Sequence, residues 1–182
     1  MGHAKKDVAF RAINIAVLTV SDTRTPETDT SGDVLQLGVE TAGHKVTQRA
    51  IVVDDIYKIR ACVSQWIADE QVHAILITGG TGFTARDSTP EAMIPLFDKE
   101  IDGYGELFRS LSYEDIGTST IQSRSIAGVA NRTVIFCMPG SPNACKTAWS
   151  KIICPQLDIR QRPCNFVEMV MPEVEPVCTT RN

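Results

Sequence analysis

The run Ala74-Ile75-Leu76-Ile77-Thr78 passes without a charge straight into Gly79-Gly80-Thr81-Gly82, and this feature constrains the fold more than any other. A short, continuously apolar and β-branched stretch is buried on both faces, as inner strands of parallel sheets are, instead of alternating between core and solvent. It therefore needs helices above and below it, and the chain supplies them. Ile13 to Val20 reads as a second buried strand that ends in Ser21-Asp22-Thr23-Arg24. After a polar loop, Thr30 or Ser31 caps a helix to about Ala42 with Val34, Leu37 and Ala42 as its inward stripe, and Gly43 stops it. Val46 to Val53 is a further strand. Asp55 then caps a helix in which Ile59, Cys62, Val63, Trp66 and Ile67 recur at helical spacing. The order strand, helix, strand, helix, strand predicts right-handed crossovers and a three-layer α/β fold with a mainly parallel sheet.

Beyond the glycine run, Thr89-Pro90-Glu91 is a helix start, with a capping hydroxyl ahead of a proline. Helical character is expected as far as Leu111, interrupted at Pro95 and at Gly103-Tyr104-Gly105, with a Ser/Thr-rich loop over 117–123. Ser125 to Val129 and Thr133 to Met138 flank Ala130-Asn131-Arg132 as a hairpin or two tightly connected strands. Ser141 as cap and Pro142 as first helical residue open a last helix carrying Ala144, Ala148, Trp149 and Ile152, which Pro155 and Pro163 interrupt. The expected organisation is a leader (1–11), one α/β domain (12–165) and a C-terminal tail (166–182).

Composition excludes several classes. A length of 182 residues supports one well-filled core. Eighteen Lys and Arg against 22 Asp and Glu, with no basic run along a face, disfavour general nucleic-acid binding. The N-terminal apolar run is broken by Arg11 and Asn14, so neither a signal core nor a membrane span is expected. The six cysteines, Cys62, Cys137, Cys145, Cys154, Cys164 and Cys178, form no CxxC pair, which favours free thiols and a reducing, cytoplasmic compartment. His3, His44 and His73 lack metal-ligand spacing.

Chemistry concentrates at strand ends. In Gly79-Gly80-Thr81-Gly82-Phe83-Thr84-Ala85-Arg86-Asp87, glycines allow close approach and positive φ, and exposed amides can hold anionic oxygens. Neither a Walker ending nor GxGxxG spacing is present. Asp22, Asp54, Asp55 and Asp87 follow strands or their exit loops and could share Mg2+ beside a phosphate; Asp54 and Asp55 are also readable as helix caps and Asp22 as a solvated turn residue. Met138-Pro139-Gly140-Ser141 is a second amide-lined candidate, so the ligand would have two polar ends. Ser123-Arg124-Ser125 offers hydroxyls and a charge to a phosphate or a partner subunit, or is a solvated loop.

The motifs LTVSDTR (18–24), DTSG (29–32), ITGGTGFTARDSTPEA (77–92), GYGELFR (103–109), QSRSIAGV (122–129) and MPGSPNA (138–144) closely resemble the MoaB/MogA family of molybdenum cofactor biosynthesis, whose domain also occurs in gephyrin. The resemblance spans 12–165, and GTSTIQSRSIAGVANRTVIFCMPGS with TAWSKIICPQLD is similar to the MoaB branch. It implies a MogA-like molybdopterin-binding fold with a small β excursion. It also implies a homo-oligomer, trimer or hexamer, and transient contacts with other proteins of the pathway. Active members of the family are adenylyltransferases that use Mg2+ and ATP to adenylylate the molybdopterin phosphate and release pyrophosphate.

By motif, their two essential carboxylates, which would also hold the metal, fall on Asp54 and Asp87. Pterin and phosphate contacts fall on Ser21, Asp22, Gly79, Gly80, Thr81, Gly82, Ser110, Ser123, Arg124, Ser125, Pro139, Gly140 and Ser141. Val53 and Ala85 depart from the active pattern, which has proline and a second arginine-type residue at these positions. The alternative implied by the same resemblance is a non-catalytic molybdopterin-binding or channelling protein. GYGELFR is expected at a subunit interface.

Overall fold

The protein is described by a computed structural model over residues 8–171; His3 and Cys178 lie outside the described residues. Six strands form one sheet in the order β2-β1-β3-β6-β5-β4. They are β1 (Asn14–Val20), β2 (Lys45–Val52), β3 (Ala74–Thr78), β4 (Lys99–Glu100), β5 (Ile126–Ala130) and β6 (Thr133–Met138). β2, β1, β3 and β6 are parallel, whereas β5 runs antiparallel to both β6 and β4, which is the β excursion. The fold is thus α/β with a mixed, mainly parallel sheet.

β3 is buried along its whole length, as its unbroken apolar run requires. Its side chains alternate between two cores. Ala74 and Leu76 join a cluster with Ile15, Val17, Leu35, Val39, Phe108 and Phe136. Ile75 and Ile77 join Ala16, Leu18, Ile59, Val63 and Met93 on the other face. The first core lies under helices α1 (Thr30–Thr41), α4 (Asp102–Ile116), α5 (Pro142–Ala148), α6 (Cys154–Gln156) and α7 (Val167–Val170); the second lies under α2 (Ile56–Ala68) and α3 (Thr89–Met93).

Several local expectations are corrected. The cap of α1 is Asp29, whose carboxylate accepts the Gly32 amide at 2.9 Å, and not Thr30 or Ser31. Its buried stripe is Ser31, Leu35 and Val39 at four-residue spacing; Leu37, about 200° round the helix from Leu35, is 65% exposed. Gly103-Tyr104-Gly105 does not interrupt a helix but lies in the first turns of α4, where Gly105 lets the helix approach the Ser125 carbonyl, 2.4 Å from where a Cβ would sit. The segment over 117–123 is mostly a 3-10 turn, Gly117–Gln122. Pro155 does not end the last helix, since a π turn (Trp149–Ile153) precedes it and accommodates a residue without an N–H.

Asn131 and Arg132 both have positive φ (45° and 65°), so β5 and β6 form a two-residue hairpin whose turn matches strand twist. The packed body runs past residue 165: Val167 is fully buried and Phe166 meets Phe136 edge-on at 6.0 Å. At the other end, Phe10 packs against His44, and the Arg11 guanidinium donates to the Met171 carbonyl at 3.1 Å.

Candidate functional site

The connection from β1 runs to β2 on one side and that from β3 to the β4, β5 and β6 side, so the carboxyl ends of β1 and β3 form the crevice where open α/β sheets bind ligands. The glycine loop starts there. Gly79 and Gly80 have φ of +101° and +64°, and a Cβ on Gly79 would lie 2.2 Å from the Val20 carbonyl oxygen. Only glycine fits that position.

The loop's carbonyls are all tied back. Thr89 donates to two of them, from Oγ1 to Gly79 O (2.8 Å) and from N to Gly80 O (2.9 Å). Arg124 donates to the next two, from its backbone N to Thr81 O (3.2 Å) and from Nε to Gly82 O (2.7 Å). In a trans peptide, C=O and N–H point opposite ways. Holding each carbonyl therefore turns the following N–H away from its anchor. The amides of Gly80, Thr81 and Phe83 have no hydrogen-bond partner among the described residues.

The turn after β6 repeats the arrangement. Pro139 O accepts from Thr78 Oγ1 (3.1 Å) and from Cys145 Sγ (3.7 Å), and Gly140 O accepts from Ser31 Oγ (3.2 Å). The Gly140 and Ser141 amides are likewise unpartnered among the described residues. Ser141 Oγ caps α5 by accepting the Ala144 amide at 3.2 Å. The two turns touch, since a Cβ on Gly140 would be 3.1 Å from Gly79 Cα.

Together they line one open cleft of about 450 Å3 whose walls are Val20, Gly79 to Gly82, Asp87, Gln122, Ser123 and Pro139 to Ser141. Sharing Ser123, Pro139 and Ser141 with it, a slot of about 210 Å3 runs between α4 and α5, with Phe108 and Ala144 inside and Ser112, Asp115 and Asn143 among its polar groups. A cavity of about 590 Å3 lies instead beside β2, lined by Ser21, Asp22, Arg24 and Arg49. It lacks the unpartnered glycine amides, and geometry outweighs size in choosing the site.

Asp54 and Asp87 stand on either side of the glycine loop. Ser88 donates to Asp54 Oδ1 from its N–H (3.0 Å) and its hydroxyl (2.5 Å), while Asp54 Oδ2 lies 2.6 Å from where a Cβ on Gly80 would be. Asp87 Oδ2 accepts the Thr84 amide at 2.8 Å. Burial disfavours the Asp87 carboxylate, but hydrogen bonds from Thr84 and Gly82 and the charge of Arg124 outweigh it and hold the group below the ordinary value. Asp87 is ionised at neutral pH.

The other expected positions divide. Asp22 accepts the Asp54 amide (3.1 Å) and pairs with Arg86 (2.7 Å), so it braces loops and is not aimed at an anion. Ser21 Oγ accepts the Thr23 and Arg24 amides in a local turn. Asp55 caps α2, which removes it from the acidic set. The Arg124 guanidinium is committed to Gly82 O, Asp87 O (2.9 Å) and Glu91, and it packs over Phe83. Ser123 and Ser125 bond each other through their hydroxyls at 2.8 Å, with Ser125 buried. Ser110 is exposed and lines neither cleft nor slot; two residues on, about 200° round α4, Ser112 lines the slot.

Among the described residues, no group of three or more His, Cys, Asp or Glu is arranged to hold a metal ion. Asp54 Oδ2 has no hydrogen-bond partner among the described residues, whereas Asp87 is already held by Thr84 and Gly82; Mg2+ characteristically takes one or two carboxylates plus substrate phosphates and waters, so these two residues are the ones that would serve it. The sequence reading missed Thr89, Ser88, Ser31 and Glu91 as builders of the site. Each acts on distant backbone or side-chain atoms, and no local spacing announces that.

A mixed α/β sheet with an amide-lined cleft at its switch point is the architecture of a ligand-binding α/β domain whose free donors suit an anion. The family model described as "Probable molybdopterin binding domain" matches residues 16–159. Molybdenum cofactor biosynthesis protein B of Escherichia coli K12 is 59% identical over 157 residues, covering 86% of this chain and 92% of its own length. The protein of that name from Bacillus subtilis 168 is 48% identical over 153 residues (84% and 90%). A crystal structure of molybdenum cofactor biosynthesis protein B superposes with a TM-score of 0.80 at 48% identity, covering 82% of this chain and 94% of that one. The tungsten cofactor synthesizing protein MoaB from Pyrococcus furiosus gives 0.71 at 34% identity (79% and 92%). The chain belongs to the MoaB branch of the MoaB/MogA molybdopterin-binding family.

Proposed function

We propose that the chain acts in molybdenum cofactor biosynthesis by binding molybdopterin, with the phosphate on the amides of Gly80, Thr81, Phe83, Gly140 and Ser141 and the ring in the slot beside Phe108. The observation that carries this reading is the tying back of six successive carbonyls in two adjoining turns, which leaves their amides as preorganised donors for an anion. A half-apolar slot opening from the same turns suits a planar ring. Titration of the full chain with fresh molybdopterin tests it. Saturable binding that inorganic phosphate competes away is expected, and no binding would remove the reading.

A second reading is Mg-dependent adenylyl transfer from ATP, favoured by the carboxylates of Asp54 and Asp87 lying against Gly80 and Gly82 of the loop, with Asp54 Oδ2 uncommitted among the described residues. In that reaction an oxygen of the molybdopterin phosphate attacks the α-phosphorus of ATP as the bond to pyrophosphate breaks. The loop amides hold phosphate oxygens, and Asp54 and Asp87 would hold Mg2+, which supplies charge neutralisation there. Product formed by the parent and lost in Asp54→Asn and Asp87→Asn, with molybdopterin still bound, supports transfer. Binding without product supports a carrier.

We also propose a cytoplasmic homo-oligomer, trimer or hexamer, that contacts other proteins of the pathway transiently. Tyr104 and Phe108 of GYGELFR are spent in the chain's own core, so the exposed Leu107 and Tyr113 of α4 are the contact candidates. Among the described residues no helix is long and apolar enough to cross a membrane, and the thiols of Cys137 and Cys145 are free and buried. Light scattering at micromolar concentration decides the oligomer.

A further inference from the structure

Of the motif Asp29-Thr30-Ser31-Gly32, the reading above uses only the Ser31 hydroxyl, yet the whole motif is among the most constrained segments of the fold. Asp29 is 1% exposed and accepts hydrogen bonds from Thr19 Oγ1 (2.9 Å), the Gly32 amide (2.9 Å) and Arg49 Nη2 (2.8 Å). Burial works against its charge, but Arg49, Gly32 and Thr19 prevail and keep it ionised. A Cβ on Gly32 would stand 2.1 Å from Asp29 Oδ2 and 2.8 Å from Arg49 Nη2, so a side chain here would expel the carboxylate. The pair thereby fixes the first turn of α1 against β1 and β2. That turn carries Ser31, 6% exposed, whose hydroxyl donates to Gly140 O at 3.2 Å.

We propose that Ser31, seated by the Asp29–Arg49 pair, is a positioning residue for anion binding: it fixes the Gly140–Ser141 peptide with its N–H available to the ligand. Without that donor, Gly140 O has no hydrogen-bond partner among the described residues, and a peptide next to a glycine is free to rotate. Rotation would put a carbonyl where the anion needs a donor. Thr78 performs the same service one peptide earlier, through Pro139 O. The neighbouring Cys145 thiol supports it, because burial raises its pKa to about 11 and keeps the S–H a donor at neutral pH.

The inference rests on the cleft binding phosphate, and the test separates the two. The full chain, labelled with 15N, is titrated with inorganic phosphate and, separately, with molybdopterin, as parent, Ser31→Ala, Ser31→Thr and Thr78→Val. In the parent the amides of Gly80, Thr81, Gly140 and Ser141 should shift. Ser31→Ala should lose the Ser141 shift, retain those of Gly80 and Thr81, and bind molybdopterin about tenfold more weakly, the value of one charge-assisted hydrogen bond. Ser31→Thr should restore much of both, and Thr78→Val, which leaves Pro139 O only the long Cys145 Sγ contact, should diminish the Gly140 shift instead. Ser31→Ala behaving as the parent in shift and affinity overturns the positioning role alone. Should Ser31→Ala fail to fold, a Gly140 shift that persists undiminished in Thr78→Val overturns the carbonyl-tethering principle. A parent that binds neither probe overturns the phosphate reading and this role with it.

Discussion

Arg124 Nε donates to the carbonyl of Gly82 across 42 residues of sequence, at 2.7 Å. The same guanidinium holds Asp87 O and Glu91, so its planar fork is a strut for the glycine loop. Lysine keeps the charge but cannot reproduce the fork. Arg124→Lys should therefore lose molybdopterin affinity nearly as fully as Arg124→Ala, by tenfold or more on the scale of about 1.4 kcal/mol per decade. A calorimetric titration in which lysine retains most of the affinity would restore Arg124 to direct contact with phosphate.

Gly79→Ala confronts a left-handed φ and a carbonyl oxygen at once. Backbone strain of this kind costs on the order of 1–3 kcal/mol, and the clash with Val20 O adds to it. The urea midpoint should fall by an amount matching that loss, and phosphate binding should vanish even where the variant is folded. Gly103→Ala, with nothing near its added methyl, is the control and should leave both unchanged.

His44 and His73 accept the amides of successive residues at the start of β1: Ile13 N to His44 Nδ1 (3.3 Å) and Asn14 N to His73 Nδ1 (2.9 Å). Burial lowers both pKa values; Asp158 opposes this at His44, and Arg11 reinforces it at His73. Folded values below unfolded ones mean that the unfolded chain takes up protons first. The stability they confer is complete above the unfolded pKa of about 6.5 and declines as pH falls below it. Denaturant midpoints at pH 7.5 and 5.5 should show the lower value at 5.5. The difference should shrink in His44→Asn/His73→Asn, which keep an acceptor without titrating.

Leu35 and Leu37 lie two residues apart on α1 and should respond oppositely to truncation. Leu35→Ala empties a fully buried site and should cost about 2–5 kcal/mol. Leu37→Ala removes an exposed side chain and should stay within about 0.5 kcal/mol. Thermal midpoints of the two variants decide this.

That pair also shows where the sequence was legible. β3 and its glycine loop could be read directly, because an apolar run and a glycine cluster are local patterns with one physical meaning each. The stripe of α1 was read only in part: Val34 and Ala42 do pack against the core, but its centre is Leu35 and Val39, and Leu37 faces out. Asp54 and Asp87 stood out as carboxylates at strand exits, and only the motif resemblance separated them from Asp22 and Asp55. Thr89 was recognised only as a helix start, although its hydroxyl and amide hold two loop carbonyls. Side chain to distant backbone contacts have no period or spacing, so Ser31, Ser88 and Arg124 could not be assigned their tasks from order alone. Ser110 or a near neighbour was expected by motif, and helix rotation is what turns Ser112, not Ser110, toward the slot.

The reversal of direction at Asn131 and Arg132 has a temporal consequence. Because β5 runs against β6, the residues preceding β5 arrive beside a loop made some forty positions earlier, and Arg124 reaches it from there. A growing chain that has paired β1, β2 and β3 possesses the glycines but not their second strut, and the turn that completes the cleft comes only after β6. Contacts of such sequence separation form late, since loop closure must precede them. Ligand capture is in this sense a certificate of maturity: an immature chain lacks the geometry to sequester a reactive pterin.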